Sequence, residues 1–373
     1  MLRGFWDKTR TALGKTRRRK VLGLSLLCLV LVGGGFGLRL VFWTLPVVQG
    51  HLTSVLNPRA ARGMVYFHDV ERKVPWAMHV VKVSRTRKNL QLHSLMGHGT
   101  RLGMAPVSEQ VKHVPPEWGR PVAAVNVDFY NEHPDYPGDP DGLQIVHGEL
   151  VSAPSPTRVC FWVDADGRPH RDDIRSRFSV TWPDGSSTPL GLNEARPDPA
   201  AVLYTSAVGP TTRTRGGLEI ILGRHTDSPW LPLEIGRTYT ARVREVRETG
   251  NAPVGKNDLV LSLGPDLLKR TPKVASGAVL KISTATTPAL VNVPTAVGGG
   301  PTLVVDGQPK TWSGIRLRHP RTAIGWNQSH FFLVVVDGRQ LQVSLGMTFV
   351  ELAEYLARLG CQEALAFDGG GSA

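Results

Sequence analysis

Two aspartates stand at the ends of short apolar segments, each beside residues that suit a binding loop. Asp128 follows the segment 121–127, PVAAVNV, and Asp368 follows the segment 364–367, ALAF. Asp368 also begins a run of small residues, which are Gly369, Gly370, Gly371 and Ser372. Consecutive glycines permit positive φ angles and let a ligand approach the main chain. Carboxylates beside exposed amides indicate a site for a polar ligand, and a pair of tight turns is the alternative.

A second glycine run and two arginines offer further candidates. The run is Gly298, Gly299 and Gly300, and it also adjoins an apolar segment. Arg321 precedes a predicted strand, and Arg339 follows a predicted turn at Asp337 and Gly338. Surface cations are the plain interpretation of both arginines, and Asp337 has the residue type expected at the first position of a type I′ turn.

An acidic loop could hold a cation. Asp135, Asp139 and Asp141 are closely spaced carboxylates, the ligand type that calcium prefers. The spacing fails the helix-loop-helix calcium pattern because Leu143 occupies a ligand position. Solvated turn acids are therefore favoured, and a divalent cation such as calcium is possible but not required.

Short apolar segments separated by turn residues position these candidates. The chain has 40 Gly and 28 Pro, and this punctuation is typical of β-rich proteins. The segments predicted as strands are 65–83, 121–127, 218–222, 238–246, 330–336, 340–345 and 364–367. Thr348 and Glu351 form a capping box that predicts a helix ending near Gly360. We expect an α+β fold with a β-rich mixed sheet core, a few packed helices and one N-terminal transmembrane helix.

The N-terminal region predicts a membrane anchor. Residues 1–20 are basic, and residues 21–38 form an uncharged apolar run that continues to Trp43. Eighteen residues of helix span about 27 Å, close to the hydrocarbon thickness of a bilayer. The positive-inside rule then places everything after residue 43 outside the cytoplasm. A cleavable signal peptide and a twin-arginine export signal are the alternatives.

This placement organises the chain and its partners. We expect a basic cytoplasmic segment at 1–20, a single-pass anchor at 21–43, a linker at 44–62 and a domain at 63–373, of which 155–280 is a possible subdomain or lid. The expected location is a bacterial inner membrane with the body on the periplasmic, extracytoplasmic side. The formal net charge is +13, but much of the excess adjoins the apolar run. Nucleic acid is therefore not expected as a partner.

Several motifs, in order along the chain, resemble the phosphodiester glycosidase family. They are NVDFY from Asn126, GDPDGLQIVHGEL from Gly138, VGGGPTLVVDG from Val297, HPRTAIGW from His319, VVVDGR from Val334 and the segment from Ser344 to the closing DGGGS. The resemblance covers nearly everything from about Val65 onward. It implies hydrolysis of the bond between the anomeric carbon of a sugar and a phosphate esterified to a second group, with a phosphorylated glycan as substrate.

The resemblance also implies residue roles. Asp368, Asp128 and Asp337 would be catalytic, with Asp368 as nucleophile or as base for water. Arg321 and Arg339 would hold the phosphate, because a guanidinium matches its oxygens in bidentate geometry. The remaining residues implied for the pocket are Asn126, Thr322, Gly298, Gly299, Gly300, Gly369, Gly370, Gly371 and Ser372.

One departure keeps a second hypothesis open. Family members continue past the DGGGS motif, whereas this sequence ends at Ala373. A catalytically silent polysaccharide-binding or assembly protein of the envelope is the alternative, with Trp312, Trp326 and Tyr130 as sugar platforms. A metal-dependent phosphodiesterase would need a carboxylate and histidine cage that the spacing does not reveal.

Overall fold

The structure is a computed structural model that describes residues 63–313 and 317–373. The described residues form one compact unit. The predicted cytoplasmic segment, anchor and linker lie outside the described residues. Among the helices of these residues, none combines the length and the apolar composition that a membrane span requires.

Strands dominate the described residues. In chain order they are β1 (Met64–Glu71), β2 (Trp76–Ser84), β3 (Tyr130–Asn131), β4 (Asp139–Pro140), β5 (Gln144–Val146), β6 (Glu149–Ser152), β7 (Val159–Val163), β8 (Pro169–Asp172), β9 (Arg175–Ser176), β10 (Ser179–Thr181), β11 (Ser187–Pro189), β12 (Gly191–Leu192), β13 (Ala201–Tyr204), β14 (Leu218–Arg224), β15 (Thr238–Arg247), β16 (Leu259–Leu263), β17 (Val279–Ser283), β18 (Thr286–Thr287), β19 (Thr295–Gly299), β20 (Thr302–Val305), β21 (Gln308–Pro309), β22 (Arg321–Trp326), β23 (His330–Val336) and β24 (Glu363–Ala366). The α-helices are α1 (Val107–Gln110) and α2 (Phe349–Arg358).

A seven-stranded antiparallel sheet carries the C-terminal motifs. Its strand order is β1-β2-β23-β22-β24-β20-β21. Alternate residues of each strand point to opposite faces. One face buries Ala323, Val334 and Ala366 against α2. The other face buries Ile324, Leu333 and Phe367 in a different apolar cluster, so the sheet has a helix face and a cavity face.

Two further sheets lie on the side of the cavity face. A five-stranded antiparallel sheet of order β6-β5-β19-β7-β8 contributes Phe161 and Val297 to the cluster shared with the first sheet. An eight-stranded sheet of order β11-β10-β17-β15-β14-β16-β13-β12 shares a second core with the five-stranded sheet. Its strands are antiparallel except for the parallel pair β12 and β13, so it is a mixed sheet.

The capping box confirms the predicted start of α2. The Thr348 hydroxyl accepts a hydrogen bond from the Glu351 amide at 3.2 Å, and the Glu351 carboxylate accepts one from the Thr348 amide at 2.8 Å. Leu352 and Leu356 are fully buried on the helix face of the sheet. The chain leaves the helix through Gly360, which has a φ of 86°. Capping and a buried apolar stripe thus fix this helix as the sequence predicts.

Two predicted strands are wrong. Residues 121–127 form no strand, and residues 121–124 are exposed. Residues 340–345 form a turn closed by an isolated bridge between Gln340 and Ser344, and Leu341 is 83% exposed. Both segments have the apolar pattern that is typical of a strand, but neither pairs with a neighbouring strand in the described residues.

The β-rich, mixed-sheet expectation is confirmed, but the helical part is smaller than expected. Within the described residues, α1 has 4 residues and buries none of them, whereas α2 has 10 residues and packs on a sheet. The segment between β2 and β5 has little regular structure. It supplies one wall of the cavity described next.

Candidate active site

A cavity of about 1150 Å³ opens over the cavity face of the seven-stranded sheet. The irregular segment 88–130 supplies much of its lining. The sheet faces it with Ile324, Leu333, Val335 and Phe367. Among the predicted site residues, those that line the cavity are Asn126, Asp128, Asp368, Gly371 and Ser372.

Asn126 links three parts of the chain at this cavity. Its Nδ2 donates to the main-chain carbonyl of Asp368 at 2.8 Å. Its Oδ1 accepts a hydrogen bond from the Thr322 hydroxyl at 2.6 Å, and Thr322 is fully buried. The amide of Asp368 also donates to the carbonyl of Val127 at 2.8 Å. These bonds hold the segment that ends in Asp128 against the end of β24.

Asp128 sits in a cradle of backbone groups. Its Oδ1 accepts a hydrogen bond from the Phe129 amide and its Oδ2 accepts one from the Gly142 amide, each at 2.8 Å. A Cβ on Gly298 would lie 2.2 Å from Oδ2, so only glycine at that position leaves room for the carboxyl group. Burial raises the pKa of Asp128 to about 7, although the two amides and Arg158 oppose the rise. A carboxyl group with this pKa can exchange a proton near neutral pH.

Arg158 is a cation of this region that the sequence did not single out. Its Nε donates to Asp141 Oδ2 at 2.7 Å, and its guanidinium lies 3.8 Å from the centre of the Phe129 ring. Asp141 thereby pairs with the cation that opposes the rise in the pKa of Asp128. In the sequence, the one notable feature of Arg158 is its position just before β7. Its partners are distant in the sequence, so the pattern around Arg158 does not reveal them.

Asp368 begins a tight loop at the cavity edge. Its Oδ1 accepts a hydrogen bond from the Gly369 amide at 2.8 Å. The Gly370 amide donates to the Pro320 carbonyl at 3.0 Å, and Gly370 has a φ of 66°, which favours glycine. The Gly369 amide and the Gly370 amide are therefore both engaged within the protein.

Arg321 does not reach the cavity. It is the neighbour of Thr322 on β22, so the two side chains point to opposite faces. The Arg321 guanidinium donates to the Met347 carbonyl at 2.9 Å and stacks 3.9 Å from the centre of the Phe349 ring. Burial lowers the pKa of Arg321. Its contacts belong to the helix side of the sheet.

Asp337 and Arg339 lie near the motifs but also outside the cavity lining. Asp337 Oδ2 is 3.3 Å from His79 Nε2, and His79 Nδ1 is 2.8 Å from the Tyr66 hydroxyl. Arg339 is exposed, and its Nη2 lies 3.0 Å from where a Cβ on Gly370 would be. Arg339 therefore lies beside the glycine loop at 369–371, whereas Asp337 contacts His79.

The other glycine run belongs to the packed interior. Gly298 and Gly299 are part of β19 and pair with β7, and the Gly300 amide donates to the Ala366 carbonyl at 2.8 Å. A Cβ on Gly299 would lie 2.8 Å from that same carbonyl. These glycines allow close packing, which differs from the expected loop of exposed amides.

The predicted sugar platforms are dispersed. Tyr130 lines the cavity and is 39% exposed. Trp326 is buried in the cluster beneath the cavity face, and Trp312 packs against Phe349 on the helix face. Only Tyr130 of these three is placed to touch a ligand in the cavity.

The acidic loop is not arranged as a calcium site. Asp139 is 4% exposed, and burial together with the nearby Glu194 raises its pKa to about 8. Asp141 pairs with Arg158, and Asp135 is half-buried. Across residues 63–313 and 317–373, no three His, Cys, Asp or Glu side chains form a group that could hold a metal ion.

Comparisons with known proteins agree with the motifs. Residues 239–373 match the phosphodiester glycosidase family. The SPbeta prophage-derived protein YomE of Bacillus subtilis is 37% identical over 76 residues, which is 19% of this chain and 12% of that protein. The present chain thus spans only a small part of that relative.

Solved structures share the fold. A Synechocystis protein superposes with a TM-score of 0.63 and 20% identity, covering 83% of this chain and 56% of that chain. A Burkholderia pseudomallei protein superposes with a TM-score of 0.60 and 21% identity, covering 80% of this chain and 68% of that chain. At this level of identity the likeness concerns the fold alone.

Proposed function

Residues 239–373 belong to the phosphodiester glycosidase family, and from that premise we propose that the protein hydrolyses a glycosyl phosphodiester at the sugar-to-phosphate bond. The observation that carries the proposal is the Asn126 link. It ties the segment ending in Asp128 to the main chain of Asp368, and both aspartates line one cavity.

The chemistry needs a base for water and a negative charge near the sugar. A phosphate monoester is a good leaving group because its second pKa is near 6, so little protonation is needed. In the proposed step Asp128 takes a proton from water as the water oxygen bonds to the anomeric carbon. The carbon–oxygen bond breaks and its electron pair leaves with the phosphate. Asp368 stabilises the positive charge that develops on the sugar ring.

The phosphate contacts are proposed to differ from those that the motifs implied. Arg321 is engaged with Met347 and Phe349, so it is not available to the cavity. Among the described residues, two basic side chains line the cavity, those of Lys88 and Arg120. Both are exposed. We assign the phosphate to these two cations, with the leaving group directed toward solvent.

Hydrolysis in ¹⁸O-labelled water tests this function. The substrate is an N-acetylglucosamine 1-phosphodiester, incubated with the full chain. Label in the sugar supports the proposal, because the carbon–oxygen bond then breaks. Label in the phosphate would indicate a phosphodiesterase, and no turnover would reject hydrolysis of this class.

A second candidate is a catalytically silent polysaccharide-binding protein of the cell envelope. It is favoured by the absence of Arg321 and Arg339 from the cavity lining in the described part of the chain. It predicts that polysaccharide binds without turnover, and that binding survives replacement of both Asp128 and Asp368 by Asn.

Membrane anchoring is a separate proposal that rests on the sequence. Residues 21–43 would anchor the chain in a bacterial inner membrane, with the body in the periplasm acting on envelope or exopolysaccharide glycans. Fractionation of cells expressing the full chain should place it in the membrane after carbonate washing. Deletion of residues 21–43 should release it, and a full chain found in the soluble fraction would reject the anchor.

A further inference from the structure

One buried polar side chain at the cavity lacks a partner. The cavity-lining side chains that are more than nine-tenths buried and polar include Ser94, Gln144 and Thr295. The hydroxyls of Ser94 and Thr295 bond to each other at 3.1 Å, and Thr295 also accepts from the Ser94 amide at 3.0 Å. Gln144 is 2% exposed, and its Nε2 has no hydrogen-bond partner among the described residues.

The strand that carries Gln144 holds it in place. Gln144 is the first residue of β5, which lies between β6 and β19. It pairs with Ser152 on one side and with Val297 on the other. A buried donor without an acceptor costs free energy, so a native protein seldom keeps one without a reason.

The chain segments next to Gln144 also contact Asp128. Gly142, two residues before Gln144, donates to Asp128 Oδ2 at 2.8 Å. Gly298, the neighbour of the Gln144 partner Val297, approaches the same carboxyl oxygen so closely that a Cβ there would lie 2.2 Å away. The segment just before β5 and the strand β19 therefore form the cradle of Asp128, whereas Gln144 and its partner Val297 line the cavity from the opposite face of these strands.

We propose that Gln144 is a ligand-binding residue of the cavity, whose side-chain amide donates a hydrogen bond to an acceptor oxygen of the sugar bound there. The identity of the ligand as a sugar rests on the proposed function. A hydroxyl or a carbonyl oxygen would satisfy the donor. A site with a buried donor discriminates strongly against an analogue that lacks the acceptor, so Gln144 would set specificity.

The test compares Gln144→Met with Gln110→Met. Gln110 lines the same cavity, but its Nε2 already donates to the Ala105 carbonyl at 2.7 Å. Kinetics are measured with the sugar phosphodiester and with its 2-, 3-, 4- and 6-deoxy analogues. Thermal unfolding of each variant is measured in parallel without ligand.

We expect Gln144→Met to lower kcat/KM at least tenfold, mainly through KM, with a melting temperature equal to or above that of the wild type. With the wild type, one deoxy analogue should have a much lower kcat/KM than the parent sugar. With Gln144→Met, the same analogue should have a kcat/KM no lower than that of the parent sugar. Gln110→Met should keep wild-type kinetics. Unchanged kinetics in Gln144→Met, or a fall in its melting temperature without a kinetic effect, would overturn the proposal.

A wild-type protein without turnover would reject the proposed hydrolysis but still test Gln144. Calorimetric titration would then use N-acetylglucosamine 1-phosphate and glucose 1-phosphate as probes. At least tenfold weaker binding to Gln144→Met than to Gln110→Met supports the assignment. Equal binding to both variants, or no binding of either probe to the wild type, overturns it.

Discussion

Replacement of Asp128 by Asn should stabilise the folded protein near pH 8. Burial raises the pKa of Asp128 from its ordinary 3.8 to about 7, so the folded state resists loss of this proton. Above pH 7 the wild type must keep a charge in the cradle that an unfolded chain would hold in water. The isosteric amide of Asn carries no charge and removes this cost.

The magnitude follows from the pKa difference. About three pKa units at about 1.4 kcal/mol each give an upper limit of about 4 kcal/mol for the stability that the wild type loses by pH 8. Asn can accept only one of the two hydrogen bonds from the Phe129 and Gly142 amides, which costs about 1 to 3 kcal/mol. A net gain of about 2 kcal/mol is therefore expected for Asp128→Asn at pH 8.

The pH dependence carries the sharper test. A group with a raised folded pKa contributes stability below its unfolded pKa and loses that contribution as the pH rises through the folded pKa. The advantage of Asp128→Asn should thus shrink by about 1.4 kcal/mol per pH unit as the pH falls from 7 to 5. All other titrating groups are common to both proteins and cancel in the difference.

Urea unfolding of both proteins at pH 5, 6, 7 and 8 measures this difference. Asp141→Asn serves as the comparison, since Asp141 pairs with Arg158 and should lose stability on replacement. A stability difference between wild type and Asp128→Asn that is independent of pH would refute the reasoning, because Asp128 would then titrate alike in both states.

Three further predictions concern activity and packing. The kcat/KM of the wild type should fall about tenfold per unit below pH 7 and level off above it, because Asp128 must be deprotonated to act as a base; a rate that falls as the pH rises would make it an acid instead. Arg321→Met should lower the free energy of unfolding by about 2 kcal/mol with an unchanged KM, since the guanidinium bonds to Met347 and stacks on Phe349. A raised KM in steady-state kinetics would instead indicate that Arg321 contacts the substrate. Thr348→Ala should cost about 1 kcal/mol in denaturant unfolding and leave kcat unchanged, because only the cap of α2 is lost; no change in stability would mean that the cap is dispensable.

Sequence patterns predicted the elements whose formation depends on residues close together in the chain. The alternation at 65–83 predicted strand structure where β1 and β2 lie, the segments 218–222 and 238–246 are parts of β14 and β15, and the capping box predicted α2. The segment 121–127 failed because its apolar residues line a cavity wall without pairing to a strand. Periodicity reports which residues avoid water and does not distinguish these two environments.

The structure brings some of the predicted site residues together, and their roles stay a prediction. Asn126 contacts Thr322 and Asp368, because the ends of β22 and β24 lie side by side, and Asp128 lines the same cavity. The direction of Arg321 follows from the two-residue period of a strand once Thr322 is known to bond to Asn126 on the cavity face of the sheet. Arg158 and Gln144 were missed because their significance depends on contacts with Asp141 and on the absence of a partner, which only the folded chain reveals.

The central claim is that Asp128 and Asp368 act together on one sugar phosphate, and kcat of Asp368→Asn tests it most directly. Among the described residues, the side chain of Asp368 makes one hydrogen bond, which it accepts from the adjacent Gly369 amide, so its loss should leave unfolding nearly unchanged. We predict at least a hundredfold fall in kcat on an N-acetylglucosamine 1-phosphodiester, while Asp337→Asn, beside His79, keeps most of the activity. Wild-type turnover by Asp368→Asn would contradict the account.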